Sequence, residues 1–290
     1  MPELPEVETV AQGLRASLVG RAIGGVDVRW TRSVSPPDPA AFARRLVGRP
    51  VAQVRRRGKW IVIEFSGGGA LLIHLRMTGR LALEEGECAD DRHLRVEFSL
   101  DDGHSLRFYD PRKFGRLRLV DDPAAALSDL GPEPLGDDFT AARLEEMLAR
   151  RRGRIKPLLL NQRFLAGLGN IYTDESLWRA GVHPLRQADT LTPAEVRRLH
   201  GDIQSVLRAA IASGGTTLPD AAYQRVDGQS GEFAERLAVY GRAGEPCPNC
   251  GASIERVRVG QRGTHFCPHC QSPPAAIFKV EPIDNVENLT

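Results

Sequence analysis

Lysine is almost missing from this chain. Of its 39 basic residues only Lys59, Lys113, Lys156 and Lys279 are lysines. Methionine occurs three times and aromatic residues make up 6%. No apolar run approaches the ~18 residues a membrane-spanning helix requires, which excludes such a span. The opening MPELPEVETV carries two prolines and three glutamates, with neither the basic region nor the apolar core of a secretory signal. Internal repeats and low-complexity tracts are absent. With 41% hydrophobic and 26% charged residues, the composition excludes a collagen, a coiled coil and a disordered chain. Its 290 residues suit one or two domains with their own cores.

The net charge is +2 and evenly spread: residues 1–134 hold 20 bases against 19 acids, residues 135–290 hold 19 against 18. Local clusters say more. Arg44, Arg45, Arg49, Arg55, Arg56, Arg57 and Lys59 follow one another without an acid, and Arg150, Arg151, Arg152, Arg154 and Lys156 form a second run. Such runs suit a polyanion or a solvated face. The scarce lysines draw notice because an amine, unlike a guanidinium, can give up its proton.

Leu4, Val7, Val10, Ala11, Leu14 and Leu18 recur at helical steps, predicting a helix over 4–19 that Gly20 stops. Asp38-Pro39 begins a short helix ending at Gly48. The segments 59–65, 70–75, 94–98, 105–109 and 116–120 read as strands separated by turns such as Ser66-Gly-Gly-Gly69. Strands this close, without intervening helices, predict an antiparallel sandwich. Beyond the linker-like Gly131-Pro-Glu-Pro-Leu-Gly136 the signals turn helical. Thr140 caps a segment to Arg150, and Thr192-Pro-Ala-Glu195 is a capping box opening a helix to Gly214-Gly215. Gly167-Leu-Gly-Asn170 makes a tight turn between two short helices.

Cys247-x-x-Cys250 and Cys267-x-x-Cys270 form two knuckles around an alternating, glycine-containing hairpin. Two such turns facing one another present four thiolates at a tetrahedral site suited to one zinc ion. His265 and His269 are read as non-ligands because four cysteines saturate the metal, and the isolated Cys88 is read as inert.

Taken together and in order, several segments resemble the formamidopyrimidine-DNA glycosylase family. They are MPELPEVET, Arg57-Gly-Lys59-Trp, His74-Leu-Arg-Met77-Thr-Gly, Asp110-Pro-Arg112-Lys-Phe114-Gly and Gly131-Pro-Glu-Pro-Leu. Then come Ile155-Lys156-Pro, Gly167-Leu-Gly-Asn170-Ile-Tyr, Gly214-Gly-Thr-Thr, Val239-Tyr-Gly-Arg and Gln261-Arg262-Gly-Thr. The resemblance implies an α+β protein in four parts. Residues 1–131 would form an N-terminal catalytic antiparallel β-sandwich with flanking helices. Residues 137–238 would form a helical helix-two-turn-helix domain with a lesion-capping loop over 216–234. Residues 239–271 would form the four-cysteine zinc β-hairpin, followed by a disordered tail over 272–290. It also implies a bacterial cytoplasmic, nucleoid-associated monomer that binds duplex DNA across a cleft, removes 8-oxoguanine and formamidopyrimidines, and nicks the abasic site by β,δ-elimination.

The matched residues suit that chemistry. Once Met1 is removed, Pro2 carries an α-amine with a reference pKa of about 7.7–8.0, against about 10.4 for lysine, so it is a competent nucleophile at neutral pH. Glu3, the carboxyl next to Pro2, and Glu6, one turn further along, both suit proton transfer at the sugar; the resemblance favours Glu3, leaving Glu6 to orient the N-terminus or the lesion. By the resemblance, Lys59 protonates or contacts the lesion site, and Arg262 grips phosphates and assists the second elimination. Met77, Arg112 and Phe114 would fill the gap left by a flipped nucleotide, while His93, Lys156, Asn170 and Arg262 would clamp phosphates. The sequence departs from relatives at Leu94-Arg95. Two alternatives share these residues: an endonuclease VIII-like enzyme acting on oxidised pyrimidines, and an inactive damage-binding protein.

Overall fold

The computed structural model describes residues 1–35, 38–86, 91–219 and 223–273. Cys88 and residues 274–290, most of the expected tail, lie outside them. The chain forms two compact units. Residues 1–130 join 209–235 in the first, and residues 131–208 join the rest of the chain from 236 in the second.

The first unit begins with α1 (Leu4–Leu18), whose apolar stripe is buried at Leu4, Val7, Val10, Ala11, Leu14 and Leu18. Pro5 is tolerated in the first turn, where its missing N–H has no helical partner. After β1 (Ile23–Val28), Asp38 Oδ1 caps α2 (Pro39–Leu46) by accepting the Ala40 and Ala41 N–H groups at 3.0 and 3.1 Å. Next come β2 (Val51–Arg57), β3 (Trp60–Phe65), β4 (Ala70–His74), β5 (Arg80–Glu85), β6 (Leu94–Leu100), β7 (His104–Tyr109), β8 (Arg116–Val120) and the single-turn α3 (Pro123–Ala126). Two four-stranded antiparallel sheets result, ordered β1-β6-β7-β5 and β2-β3-β4-β8. Leu14 and Leu18, Phe42 and Leu46, and Val54, Ile61, Ile73, Phe98 and Phe108 share one core, so the expected sandwich with flanking helices is present.

Strands β1, β2 and β5 went unread in the sequence. Gly24-Gly25 interrupts β1, and Arg55-Arg56-Arg57 gives half of β2 the look of a surface charge run. Those arginines are in fact paired. Arg55 meets Glu64 at 2.7 Å, Arg56 meets Glu8 at 2.9 Å, and Arg57 donates to the Leu130 carbonyl at 2.9 Å. Much of the first basic cluster is therefore satisfied within its own unit.

Residues 209–235 cut across the expected 137–238 segment for a packing reason. Tyr223 is buried in the sandwich core, and Val226 lies against Gly13 of α1. In the second unit, Thr140 caps α4 (Ala141–Ala149), followed by α5 (Ile155–Leu160) and α6 (Asn170–Ala180). The Thr192–Glu195 capping box starts α7 (Pro193–Ala212), with the Thr192 N–H on Glu195 Oε2 at 2.7 Å. The hairpin pairs β9 (Glu255–Val259) with β10 (Arg262–Phe266).

Leu14 is fully enclosed between α1 and the sheets. Leu14→Ala is expected to cost about 2–5 kcal/mol, read as a lower urea midpoint at unchanged slope.

Candidate active site and metal centre

The chain's first helical turn organises the N-terminal site. Glu3 precedes α1, and its backbone N–H donates to Glu6 Oε2 at 2.8 Å. The second oxygen of the same carboxylate, Oε1, accepts the Thr216 N–H at 2.8 Å. Pro2, Glu3 and Glu6 are all buried. The approach of Glu6 depends on Gly215. Its φ is +86°, and a Cβ there would stand 3.0 Å from Glu6 Oε1 and 3.1 Å from the Tyr223 ring. Glu6 thus ties the start of the chain to the Gly214-Gly-Thr-Thr turn, and the Tyr223 hydroxyl donates to the Gly214 carbonyl at 3.0 Å. Around the rest of the expected capping loop, Thr217 Oγ1 donates to the Tyr223 carbonyl at 3.1 Å and accepts the Gly231 N–H at 2.8 Å.

Lys59 follows Gly58 at the β2–β3 turn and is 6% exposed. His74, at the end of β4, packs edge-on against Trp60 with ring centroids 4.9 Å apart. Burial, then the charges of Arg76 and Lys59, push its pKa down to about 3. The Arg76 N–H donates to His74 Nδ1 at 3.0 Å, which fits the neutral ring.

Met77 and Phe114 are 40% and 46% exposed, unusual for large apolar side chains. The Arg112 guanidinium stacks 5.0 Å from the Phe114 ring. One carboxylate that the sequence reading passed over supports all three. Asp110, wholly buried, accepts Thr78 Oγ1 at 2.5 Å and the N–H groups of Arg112 and Gly115 at 3.2 and 2.6 Å. It therefore couples the turn carrying Met77 to the turn carrying Arg112 and Phe114. His93 sits beside it, its carbonyl accepting the Asp110 N–H at 2.9 Å. The departure at Arg95 has a structural cause: its buried guanidinium donates to the carbonyls of Asp110 and Arg92, both at 2.8 Å.

In the second unit, Arg262 is exposed at the hairpin tip. Asn170 Nδ2 donates to the Gly263 carbonyl at 2.9 Å. Lys156, expected on the surface as a phosphate clamp, is fully enclosed. Its ammonium pairs with Asp174 at 2.6 Å and donates to Thr264 Oγ1 at 2.8 Å and the Gly263 carbonyl at 3.2 Å. Glu175, also unread, accepts the N–H groups of Ala238, Val239 and Tyr240 at 2.8–2.9 Å. Burial pushes its pKa up against the pull of those three donors. Two adjacent acids between Ile171-Tyr172 and Leu177-Trp178 of α6 were the available signal for both carboxylates.

The sulfurs of Cys247, Cys250, Cys267 and Cys270 all lie within 4.8 Å of one another. Separations of 3.9 Å (Cys247–Cys270) and 3.4 Å (Cys250–Cys267) are far beyond a disulfide. They match the roughly 3.8 Å between thiolates around a tetrahedral zinc. Trp178 Nε1 donates to Cys247 Sγ at 3.4 Å, Asn249 Nδ2 to Cys270 Sγ at 3.3 Å, and the Cys270 N–H to Cys267 Sγ at 3.3 Å. Such donors steady thiolate charge around a metal.

Comparison with known proteins agrees with this arrangement. The formamidopyrimidine-DNA glycosylase N-terminal domain matches residues 1–117, the helix-two-turn-helix domain of the same enzyme residues 130–221, and the zinc finger shared with isoleucyl-tRNA synthetase residues 244–273. A formamidopyrimidine-DNA glycosylase of Herpetosiphon aurantiacus is 48% identical over 275 residues, covering 94% of this chain and all of the relative. The chain belongs to the formamidopyrimidine-DNA glycosylase family. Among solved structures, the Lactococcus lactis member bound to DNA containing N7-benzyl-Fapy-dG aligns with a TM-score of 0.87 and 36% identity, over 94% of this chain and 100% of that one. The same protein bound to DNA containing an oxidised pyrimidine aligns at 0.86 and 35%, over 94% and 100%. The family's zinc finger coincides with the four-cysteine cluster, which holds one zinc ion per chain.

Two outcomes follow from these environments. Cys250→Ser leaves three thiolates, so metal analysis should show zinc well below one per chain while the sandwich keeps its strand signal. For His74, the folded pKa of about 3 lies below the ordinary 6.5. The unfolded state then holds more protons between these values, and stability falls as pH drops through that window. His74→Gln should flatten the stability–pH slope there by about one proton, measured by urea unfolding.

Proposed function

We propose that this protein is a base-excision repair enzyme that extrudes oxidised purines, above all 8-oxoguanine and formamidopyrimidines, from duplex DNA, removes them, and nicks the abasic site. The observation that carries the reading is the buried N-terminal turn, where Glu6 fixes the backbone of Glu3 beside Pro2, in a chain nearly half identical to formamidopyrimidine-DNA glycosylases. The aligned Lactococcus lactis complexes with damaged DNA support duplex DNA as the partner. The enzyme acts as a monomer in the bacterial cytoplasm, on the nucleoid.

Extruding a nucleotide costs a few kcal/mol of stacking and pairing. Met77, Arg112 and Phe114 are the side chains to fill the vacated space, and their exposure fits that task. His93, Asn170 and Arg262 meet the phosphates.

With Met1 removed, the Pro2 nitrogen is a secondary amine. It bonds to C1′ as the bond from C1′ to the damaged base breaks, and the base leaves with a proton. The C1′–O4′ bond then opens, O4′ takes a proton, and an iminium joins Pro2 to the sugar. Loss of a C2′ proton expels the 3′ phosphate, and loss of a C4′ proton expels the 5′ phosphate. Water finally frees the proline. Glu3 is assigned the proton transfer to the opening sugar, Lys59 the proton transfer at the lesion and the first elimination, and Arg262 the second.

Borohydride reduction during turnover should trap the iminium as a stable amine on the peptide beginning at Pro2. A chain that keeps Met1 has only an amide nitrogen there, so it should bind damaged duplex without forming adduct. Adduct on Lys59, or full turnover by the blocked chain, would move the nucleophile. Nicking of thymine glycol in preference to 8-oxoguanine would favour the pyrimidine enzyme, and binding without any nicking an inactive sensor.

A further inference from the structure

Arg262 sits at an exposed hairpin tip, where a long side chain on a two-stranded ribbon has little to hold its direction. The three residues after it are gripped from the helical side. Asn170 and Lys156 both donate to the Gly263 carbonyl, Lys156 also donates to Thr264 Oγ1, and Asp174 Oδ2 accepts the His265 N–H at 2.9 Å. The Lys156 ammonium and the Asp174 carboxylate close the network at 2.6 Å with no exposed surface on either side chain. Asn170 and Asp174 stand four residues apart on α6 and so share a face.

An enclosed ion pair is an expensive way to attach a hairpin, because two charges lose their water. Apolar packing is already present: Val257, Val259 and Phe266 of the hairpin cluster with Leu185. What apolar contact cannot supply is direction. The pair holds the next three residues after Arg262, Gly263 and His265 by their backbone and Thr264 by its hydroxyl, through charge-assisted hydrogen bonds of defined geometry.

We propose that Asp174, acting through Lys156, is a positioning residue that aims Arg262 at the strand, and that Lys156 makes no phosphate contact of its own. The inference rests on the role given above to Arg262. Lys156 serves the hairpin from inside, and the positive charge presented to DNA at this point is that of Arg262.

The test uses full-length, zinc-loaded protein with a free Pro2. Its readouts are the fraction of cleaved abasic strands that complete the second elimination, and the salt dependence of binding to a duplex with a tetrahydrofuran abasic analogue. Asp174→Asn and the nearly isosteric Thr264→Val should each lower the second-elimination fraction, Asp174→Asn by about tenfold, as expected for a displaced group. The first elimination should stay within about twofold, because it is assigned to Lys59 and does not call on Arg262. The apolar pair Lys156→Met with Asp174→Leu should recover thermal stability, since it leaves no unpaired buried charge, yet not the second elimination. A merely structural role would restore both.

Binding by Lys156→Met should keep the wild-type salt slope. A slope reduced by about one counterion would mark Lys156 as a phosphate contact and overturn the proposal. Arg262→Ala separates the two layers of the argument. If it is defective while Asp174→Asn and Thr264→Val are normal, the positioning inference alone falls. If Arg262→Ala itself completes the second elimination normally, the role of Arg262 falls and this inference falls with it.

Discussion

The Glu6 carboxylate is the interaction on which the N-terminal turn depends. The nucleophile proposed at Pro2 stands in the worst position for order, since termini fray unless something ties them down. Here the tie is one buried side chain with an oxygen on each of two backbone N–H groups, that of Glu3 and that of Thr216. The arrangement needs a helix beginning at Leu4, so that residue 6 points back at residue 3, and a glycine at 215, so that the second turn comes close enough. Propensity, capping and turn chemistry therefore converge on the same few atoms.

The same device recurs away from the terminus. Asp110, Asp174 and Glu175 are enclosed carboxylates, and each accepts backbone N–H groups from a segment remote in sequence or turned sharply on itself. An ionised carboxylate that is desolvated must collect donors. Once it does, it fixes the segment that supplies them. The side chains proposed to touch DNA are mostly arginine, methionine and phenylalanine on turns, and acids beneath them set the shape of those turns.

Much of this was legible in the residues, and the parts that were not share a physical cause. The helix from Leu4, the caps at Asp38, Thr140 and Thr192, five of the eight sandwich strands and the two cysteine knuckles all announce themselves through local spacing. Strand β2 did not, because its arginines find Glu64 and Glu8 only once the fold is made. The burial of Lys156 was hidden for the same reason: within a basic run it looks solvated, and its partners Asp174 and Thr264 lie 18 and 108 residues further along. Asp110 stood inside a motif whose exposed members drew the attention. Local patterns identify surfaces and periodic faces, whereas a buried charge is defined by a partner that sequence spacing does not reveal.

The packing of Tyr223 and Val226 into the first unit has a consequence for how the chain is made. The sandwich strands end at Val120, yet the unit they belong to is not complete until residue 235 has been added. Between Leu130 and that point the ribosome adds about 105 residues, which at ordinary elongation rates takes roughly 5–20 s. Until then the core lacks the Tyr223 side chain that the finished unit buries, and Glu6 lacks the Thr216 N–H that the finished unit supplies. The nascent protein thus carries its N-terminal turn half assembled until the segment to residue 235 has been added, and the last polypeptide to join the sandwich is the piece that locks the first.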